Sequence, residues 1–130
     1  MDLQNDPRAL AVAYIESVGQ KQFDRVAAML HSDVEFLTTG QTIRGEQAFI
    51  GALRRLAPII VRNDVRGTIV DGNQVAVFYD FVTDTPAQAV PTIEWLTVDG
   101  GRIRSSRLIF DKTHWPAAVA ELTRRASAAA

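Results

Sequence analysis

The first half of the chain carries apolar residues at helical spacing. In "PRALAVAYIESVG" they recur at intervals of three and four, which predicts an amphipathic helix. Asp6 suits the N-cap of this helix, Pro7 suits its first position, and Gly19 is expected to end it. The same spacing predicts a second helix over 23–31 and a third over 46–57. The residues predicted to face the core from these helices are Leu10, Ala11, Tyr14, Ile15, Val18, Phe23, Val26, Ala27, Leu30, Phe49, Ala52, Leu53 and Leu56.

Beyond Pro58 apolar residues alternate with polar ones, and β-branched and aromatic side chains become frequent. Turn sequences at 71–73, 84–86 and 99–101 divide this region into four strands that are predicted to form an antiparallel meander. An earlier strand is predicted in "SDVEFLTTG", over 32–40. In "QVAVFYDFVTD" the more apolar set of alternating positions is predicted to face inward: Val75, Val77, Tyr79, Phe81 and Thr83.

The end of the chain predicts a terminal helix that Asp111 or Thr113 can cap. Its apolar stripe consists of Trp115, Val119 and Leu122. The Ala-rich tail, over about 125–130, is expected to fray. Helices followed by strands indicate an α+β fold in which helices cover one face of the sheet, and residues 1–130 are predicted to form a single domain.

Composition narrows the classes of partner. Hydrophobic residues make up 47% of the 130 residues, enough to bury a core. The net charge of -1 gives no electrostatic basis for binding nucleic acid or an anionic membrane. The N-terminal segment lacks the pattern of a signal peptide, and no apolar run approaches the ~18 residues of a membrane span. We therefore expect a cytoplasmic protein whose partners are small molecules or a second copy of itself.

The chain offers little to hold a metal or a cofactor. It has no cysteine, which excludes a disulfide framework, a thiolate metal site and a cysteine nucleophile. His31 lies at the C-terminal end of the second predicted helix, where a cation interacts favourably with the helix dipole. His114 has no second ligand-type residue at metal spacing. We predict neither a metal nor a cofactor.

One acid stands in an otherwise uncharged strand. In "VPTIEWLTV", residues 90–98, Glu94 has no charged neighbour, and a carboxylate among apolar side chains is unfavourable unless it is paired, protonated or directed at water. The following hairpin leaves two arrangements open. A three-residue "DGG" loop directs Glu94 towards Ser106 and near Leu108, as a poised acid. A two-residue loop directs it towards Ser105 or Arg107, the latter as an ion pair.

Three stretches, "ALAVAYIESVGQKQFDRVAAMLHSDVEFLTTG", "IRGEQAFIGALRRL" and "DGGRIRSSRLIFDKTHW", resemble the family of nuclear transport factor 2, ketosteroid isomerase and the SnoaL-type polyketide cyclases. The resemblance covers nearly the whole chain. It implies a cone in which a strongly curved mixed or antiparallel sheet wraps around three N-terminal helices, with a short C-terminal helix. It also implies an apolar pocket in the concavity and a homodimer through the outer sheet face, where we expect Trp95 and Phe78.

The resemblance to ketosteroid isomerase extends to two polar positions. That enzyme has a tyrosine at the position of Tyr14 and an acid at the position of Glu94, which donate hydrogen bonds to a dienolate oxygen. Its aspartate base, however, falls at Thr38, and threonine has no useful basicity near neutral pH. The resemblance therefore implies Tyr14 and Glu94 as catalytic candidates without the usual base.

Two hypotheses remain open at this point. The first is a cyclase or isomerase that uses acid-base chemistry on a hydrophobic polyketide-like or steroid-like substrate. The second is a ligand-binding or structural homodimer without chemistry, in which Tyr14 and Glu94 satisfy each other. In either case the other residues expected at the pocket are Phe36, Thr38, Tyr79, Phe81, Ser106, Leu108 and Phe110.

Overall fold

The computed structural model of the protein describes residues 5–38 and 40–129. Residue 39 of the predicted first strand and residue 130 of the tail lie outside this description. The described part contains four helices and six strands. Their bounds are α1 Pro7–Gly19, α2 Phe23–Met29, β1 Leu30–Thr38, β2 Gln41–Arg44, α3 Glu46–Leu56, β3 Ile60–Asp71, β4 Gln74–Thr83, β5 Ala89–Asp99, β6 Arg102–Phe110 and α4 Trp115–Ala129, and a 3-10 turn at Ala57–Ile59 follows α3.

The six strands form one open mixed sheet in the order β2-β1-β6-β5-β4-β3. The predicted meander of four strands is confirmed, since β3 to β6 pair as successive antiparallel neighbours. β1 adds to β6 in parallel, and β2 pairs antiparallel with β1 at the edge. Helices cover the inner face, as the predicted α+β fold requires.

The region between α2 and α3 differs from the prediction. The second helix ends at Met29 rather than at residue 31, because Leu30 takes an extended backbone and opens β1. The short strand β2 was not predicted. Its sequence "QTIR" offers only one apolar residue, Ile43, and such a strand is recognised by its pairing with β1 rather than by its pattern. Gly40, with a φ of 74°, turns the chain between the two strands.

Helix α1 follows the sequence signals closely. The Asp6 side chain accepts a hydrogen bond from the Ala9 backbone N–H at 3.1 Å, which caps the helix. At the other end Gly19 packs directly on β3. An added Cβ there would lie 2.4 Å from the backbone nitrogen of Asn63, so only glycine permits this approach.

Most predicted core positions are buried. The exceptions in the N-terminal helices are partly buried: Ala27, Ala52 and Leu56. In α4 the predicted stripe is wrong at one residue, because Val119 is 45% exposed whereas Ala118 is fully buried. Ala118 lies between Trp115 and Leu122 at intervals of three and four residues, which places it on their face of the helix.

A bulge in β6 decides the register that the sequence left open. The hairpin loop has two residues, Gly100 and Gly101, with positive φ values of 59° and 75°. Asp99 pairs with Arg102, but Arg104 is then an extra residue in β6, so Leu108 pairs with Glu94. Neither predicted register is therefore correct as stated. The bulge nevertheless brings Ser106 and Leu108 to the inner face, as the three-residue loop predicted.

Candidate active site

A cavity of about 330 Å³ lies between the helices and the inner face of the sheet. Eight of the nine predicted site residues line it: Tyr14, Phe36, Thr38, Tyr79, Phe81, Glu94, Leu108 and Phe110. The ninth, Ser106, is fully buried and contacts Glu94. The remaining described lining residues are Ile15, Val18, Gln41, Ile43, Ala52, Leu53, Arg55, Leu56, Ile60, Asn63, Thr92 and Trp115.

Glu94 occupies the buried, polar part of this cavity and is only 3% exposed. Its Oε2 accepts hydrogen bonds from the Tyr14 hydroxyl at 2.7 Å and from the Ser106 hydroxyl at 2.6 Å. Its Oε1 accepts a third from the Tyr79 hydroxyl at 2.8 Å. Because neither an arginine nor a lysine joins this group among the described residues, the acid is held by neutral hydroxyls rather than by an ion pair.

Four separate elements deliver these side chains. Tyr14 comes from the buried face of α1, and its ring meets that of Phe49 edge-on at 6.2 Å between centroids. Tyr79, Glu94 and Ser106 come from inward positions of β4, β5 and β6. Alternation therefore sets which face each of these three strand residues occupies, while strand pairing and the β6 bulge set which of them meet.

Burial dominates the electrostatics of the cluster. It raises the pKa of Glu94, and the three hydroxyl hydrogen bonds partly oppose this rise by stabilising the carboxylate. Burial also raises the pKa of Tyr14 and of Tyr79 well above the ordinary tyrosine value, and the nearby charge of Glu94 raises both further. Both phenols therefore keep their protons at neutral pH, whereas Glu94 is the group of the three that titrates more readily.

In this arrangement the protonation state of Glu94 determines which acceptor the hydroxyl groups of Tyr14 and Tyr79 donate to. A carboxylate offers about four acceptor positions, so the three hydroxyls leave about one for a ligand. Once Glu94 is protonated it becomes a donor and needs fewer of these hydroxyls. Tyr14 and Tyr79, which both line the cavity, are then free to donate to an oxygen atom of a ligand.

The first strand supplies no second base. Thr38 lines the cavity at the position that the resemblance gave to an aspartate, and it pairs with Leu108 in the sheet. Among the described lining residues Glu94 is the only carboxyl group and Arg55 the only cation. Any proton transfer in this cavity would therefore centre on Glu94.

Several lining residues were not predicted. Thr92 could have been found, because it stands two residues before Glu94 and so shares its face of β5. The position of Asn63 beside the cavity follows from its pairing with Phe81 on β4, and no local sequence pattern indicated it. Its Nδ2 donates to the Ile15 carbonyl at 2.9 Å, whereas its buried Oδ1 has no hydrogen-bond partner among the described residues.

Trp115 closes the cavity from the start of α4. Its ring meets Phe110 at 5.0 Å and Phe81 at 6.1 Å between centroids, so three aromatic rings form one apolar wall. The sequence predicted Trp115 only as part of a helix stripe. Its role as a wall depends on where α4 docks, which periodicity does not reveal.

The remaining candidates lie away from the cavity. The Nδ1 atom of His31, a half-buried residue of β1, accepts a hydrogen bond from the Asp33 backbone N–H at 3.0 Å. Within residues 5–38 and 40–129, no group of three or more acidic or histidine side chains is arranged to hold a metal ion. In the same residues, no helix has the length and apolar character needed to cross a membrane.

Fold and site together define an α+β protein with a curved sheet, an apolar cavity and a buried carboxyl group inside it. The family of SnoaL-like domains matches residues 11–106, so the chain belongs to the SnoaL-like family. This confirms the resemblance on which the predicted fold rested. No curated protein matches the chain.

Solved structures share this architecture. A crystal structure of a Kribbella flavida protein is 27% identical, with a TM-score of 0.77 over 88% of this chain and 94% of that one. A proposed SnoaL-like polyketide cyclase from Shewanella putrefaciens is 16% identical, with a TM-score of 0.75 over 88% and 86%. A proposed ketosteroid isomerase from Kribbella flavida is 21% identical, with a TM-score of 0.73 over 81% and 77%. The last two likenesses concern the fold alone.

Proposed function

We propose that the protein is an enzyme of the isomerase or cyclase type that transfers a proton at a carbon next to a carbonyl group of an apolar, polyketide-like or steroid-like substrate. The observation that carries this proposal is a single acid, Glu94, that lines an apolar cavity and accepts hydrogen bonds from three neutral hydroxyls. A raised pKa brings a carboxyl group closer to the range in which general acid-base catalysis is efficient.

In the first step the ionised Glu94 removes a proton from the substrate carbon. The C–H bond breaks, an O–H bond forms on the carboxyl group, and the electron pair moves onto the carbonyl oxygen as an enolate. The phenols of Tyr14 and Tyr79, no longer required by a carboxylate, turn their protons to this oxygen and stabilise its charge.

In the second step the proton on Glu94 returns to the substrate. In an isomerase it is delivered to a different carbon of the enolate. In a cyclase the enolate carbon attacks a second carbonyl carbon within the same molecule, a C–C bond forms, and the new alkoxide takes the proton. Either sequence restores the ionised Glu94 and needs no second base, which fits a cavity with threonine at position 38.

The test is deuterium exchange at the carbon next to a carbonyl. The apolar bicyclic ketone 2-tetralone is incubated with the protein in deuterated buffer, and loss of the proton signal is followed by NMR. We expect Glu94→Gln to lower the protein-dependent rate by about a hundredfold or more. Glu16→Gln makes the same chemical change on the exposed face of α1 and should leave the rate unchanged.

A second candidate function is ligand binding without chemistry. It is favoured by one observation, namely that the described part of the cavity lining contains no carboxyl group besides Glu94. In that case 2-tetralone would bind, but native protein and Glu94→Gln would exchange its protons at the same rate as buffer. This result would overturn the proposed enzyme and leave the binding site.

We also propose that the protein forms a homodimer through the outer face of the sheet. Three large apolar side chains are exposed on this face, with exposed fractions of 64% for Ile69, 45% for Trp95 and 55% for Ile109. Phe78 and Ile93 pair beside them, and Ile93 pairs in turn with Ile109. An apolar surface of this kind, centred on a tryptophan, is typical of protein interfaces.

A further inference from the structure

A cation stands at the outer part of the cavity without an anionic partner. Arg55 lies in the last turn of α3, lines the cavity and is exposed to solvent. Among the described residues it makes neither a salt bridge nor a side-chain hydrogen bond. Its Nη1 lies 3.9 Å from where a Cβ on Gly51 would be, so the guanidinium folds back over the preceding turn of the helix.

The neighbouring arginine is placed quite differently. Arg54 forms a salt bridge with Asp24 at 3.8 Å, and its guanidinium lies 5.2 Å from the centre of the Phe23 ring. It does not line the cavity. These two adjacent arginines of one helix therefore lie in different environments. Of the two, only Arg55 is accessible to a ligand in the cavity.

The acidic residue and the basic residue of the cavity lie at different depths. Glu94 is 3% exposed, whereas Arg55 is exposed, and apolar and aromatic side chains such as Leu56 and Phe110 share the lining with them. Beyond Arg55 a shallow surface groove continues along α4, lined by Leu122 and by the side chains of Pro58 and Ala126.

The second arginine of that groove does not compete with Arg55. Arg125 forms salt bridges with Asp84 at 2.8 Å and with Glu121 at 2.9 Å. Its charge is therefore already compensated, and Arg55 is left as the cation able to receive a new anion at this end of the cavity.

We propose that Arg55 binds the carboxylate group of an elongated apolar substrate and thereby orients that substrate in the cavity. This inference rests on the proposed function, because it takes Glu94 as the reacting end. A ligand carboxylate is repelled from the buried end by the charge of Glu94 and attracted to the exposed end by Arg55. The opposite, carbonyl-bearing end of the ligand then reaches Glu94 and the two phenols. An arginine also suits a carboxylate better than a lysine would, because its planar fork donates two parallel hydrogen bonds.

The experiment compares three probes of similar size that differ in charge: 4-phenylbutyrate, its neutral amide 4-phenylbutyramide and the cationic 4-phenylbutylamine. Binding to the full chain is measured by calorimetry near neutral pH. We expect the carboxylate to bind the native protein about fivefold to tenfold more tightly than the amide, a range that lies between the effect of an exposed ion pair and that of a hydrogen bond to a charged group. Arg55→Gln should reduce this ratio to about one, and Arg54→Gln should leave it as in the native protein.

Reversing the charge at position 55 gives an independent test of the proposal. Arg55→Glu should bind 4-phenylbutylamine more tightly than 4-phenylbutyrate. An unchanged carboxylate preference in Arg55→Gln, or equal binding of carboxylate and amide by the native protein, would overturn the proposal. Failure of all three probes to bind the native protein would overturn it as well.

Failure of this inference can be distinguished from failure of the proposed function. Glu94→Gln should abolish proton exchange while the carboxylate keeps its advantage over the amide. If native protein exchanges the protons of 2-tetralone but shows no preference for the carboxylate, the enzyme stands and the role of Arg55 is wrong. A carboxylate preference without any proton exchange would retain Arg55 as a binding residue in a protein without the proposed chemistry.

Discussion

Glu94 is buried without a cation beside it, so the stability of the protein should depend on the charge of this one residue. Burial raises the pKa of Glu94 above its ordinary value of 4.5. The folded protein therefore binds this proton more tightly than the unfolded chain does. The resulting contribution to stability is fully present below pH 4.5 and is lost as the pH rises through the folded-state pKa.

Replacement of Glu94 by glutamine should remove this dependence. The free energy of unfolding of Glu94→Gln, measured with urea between about pH 4 and pH 8, should fall less with rising pH than that of the native protein, by about 1.4 kcal/mol for each unit of pKa shift. Glu16→Gln should keep the native slope, because Glu16 is exposed. Parallel curves for native protein and Glu94→Gln would contradict a raised pKa.

The two phenols should tune the same acid. Tyr14→Phe and Tyr79→Phe each remove a donor from the carboxylate, so each should raise the pKa of Glu94 further. Each should also lower the free energy of unfolding by about 1–3 kcal/mol, because a buried acceptor loses a hydrogen-bond partner. The carboxyl carbon of Glu94, followed by NMR titration, reports the pKa directly.

A matched control for these variants is Thr92→Val. Thr92 also lines the cavity, but its hydroxyl donates to the Val90 carbonyl at 2.9 Å rather than to Glu94. Its removal should leave the pKa of Glu94 close to the native value. A shift as large as that of the tyrosine variants would mean that general polarity of the cavity, and not direct hydrogen bonding, sets the pKa.

At the scale of single residues, the sequence predicted which side chains belong to the site better than it predicted which of them form hydrogen bonds with each other. The lone charge of Glu94 in its strand and the position of Tyr14 in the first helix were visible in the pattern, and Tyr79 was placed inside by alternation. The contact of Ser106 with Glu94 was one of two alternatives that the hairpin left open, and the hydrogen bond from Tyr79 to Glu94 was not predicted. Those contacts depend on which residues of neighbouring strands stand opposite each other, and alternation gives the face but not the partner.

At the scale of elements, the contact of α1 with β3 depends on a residue without a side chain. Gly19→Ala would place a Cβ 2.4 Å from the backbone nitrogen of Asn63, and backbone cannot move aside as a flexible side chain can. We expect a loss of about 1–3 kcal/mol in the free energy of unfolding, measured with urea.

Gly67→Ala provides the comparison for this prediction. Gly67 lies in β3, where a Cβ would meet no heavy atom within 4 Å, so alanine should change stability little. If Gly19→Ala were as stable as Gly67→Ala, the helix would not press against β3 as closely as the structure shows.

The elements also show where local pattern is insufficient. Helix α1 and strands β3 to β6 carry caps, turns and periodicity in their own residues, and these predicted them. The bulge at Arg104 carries no such signal. It explains why Ile103 and Leu108 are both directed inward although they stand at positions of opposite parity, which made the inward face of β6 ambiguous in the sequence.

For the molecule as a whole, the exposed apolar face of the sheet predicts self-association. Trp95 stands at the middle of this face, where the residue is 45% exposed and its indole N–H donates to the Gln74 side chain at 2.7 Å. A lysine at this position would place a charge in the centre of the proposed interface and would leave that charge without water on association. We therefore expect native protein to sediment as a dimer at micromolar concentration and Trp95→Lys to sediment as a monomer.

Val119→Lys separates an interface effect from a general effect of surface charge. Val119 has the same exposed fraction, 45%, but lies on α4 rather than on the sheet. This variant should remain a dimer, and both variants should keep the native far-UV circular dichroism, since neither position belongs to the core. A native protein that sediments as a monomer, or a Trp95→Lys variant that stays dimeric, would exclude this face as the interface. Because the cavity opens on the opposite, inner side of the sheet, loss of the dimer should leave the carboxylate preference of the cavity intact.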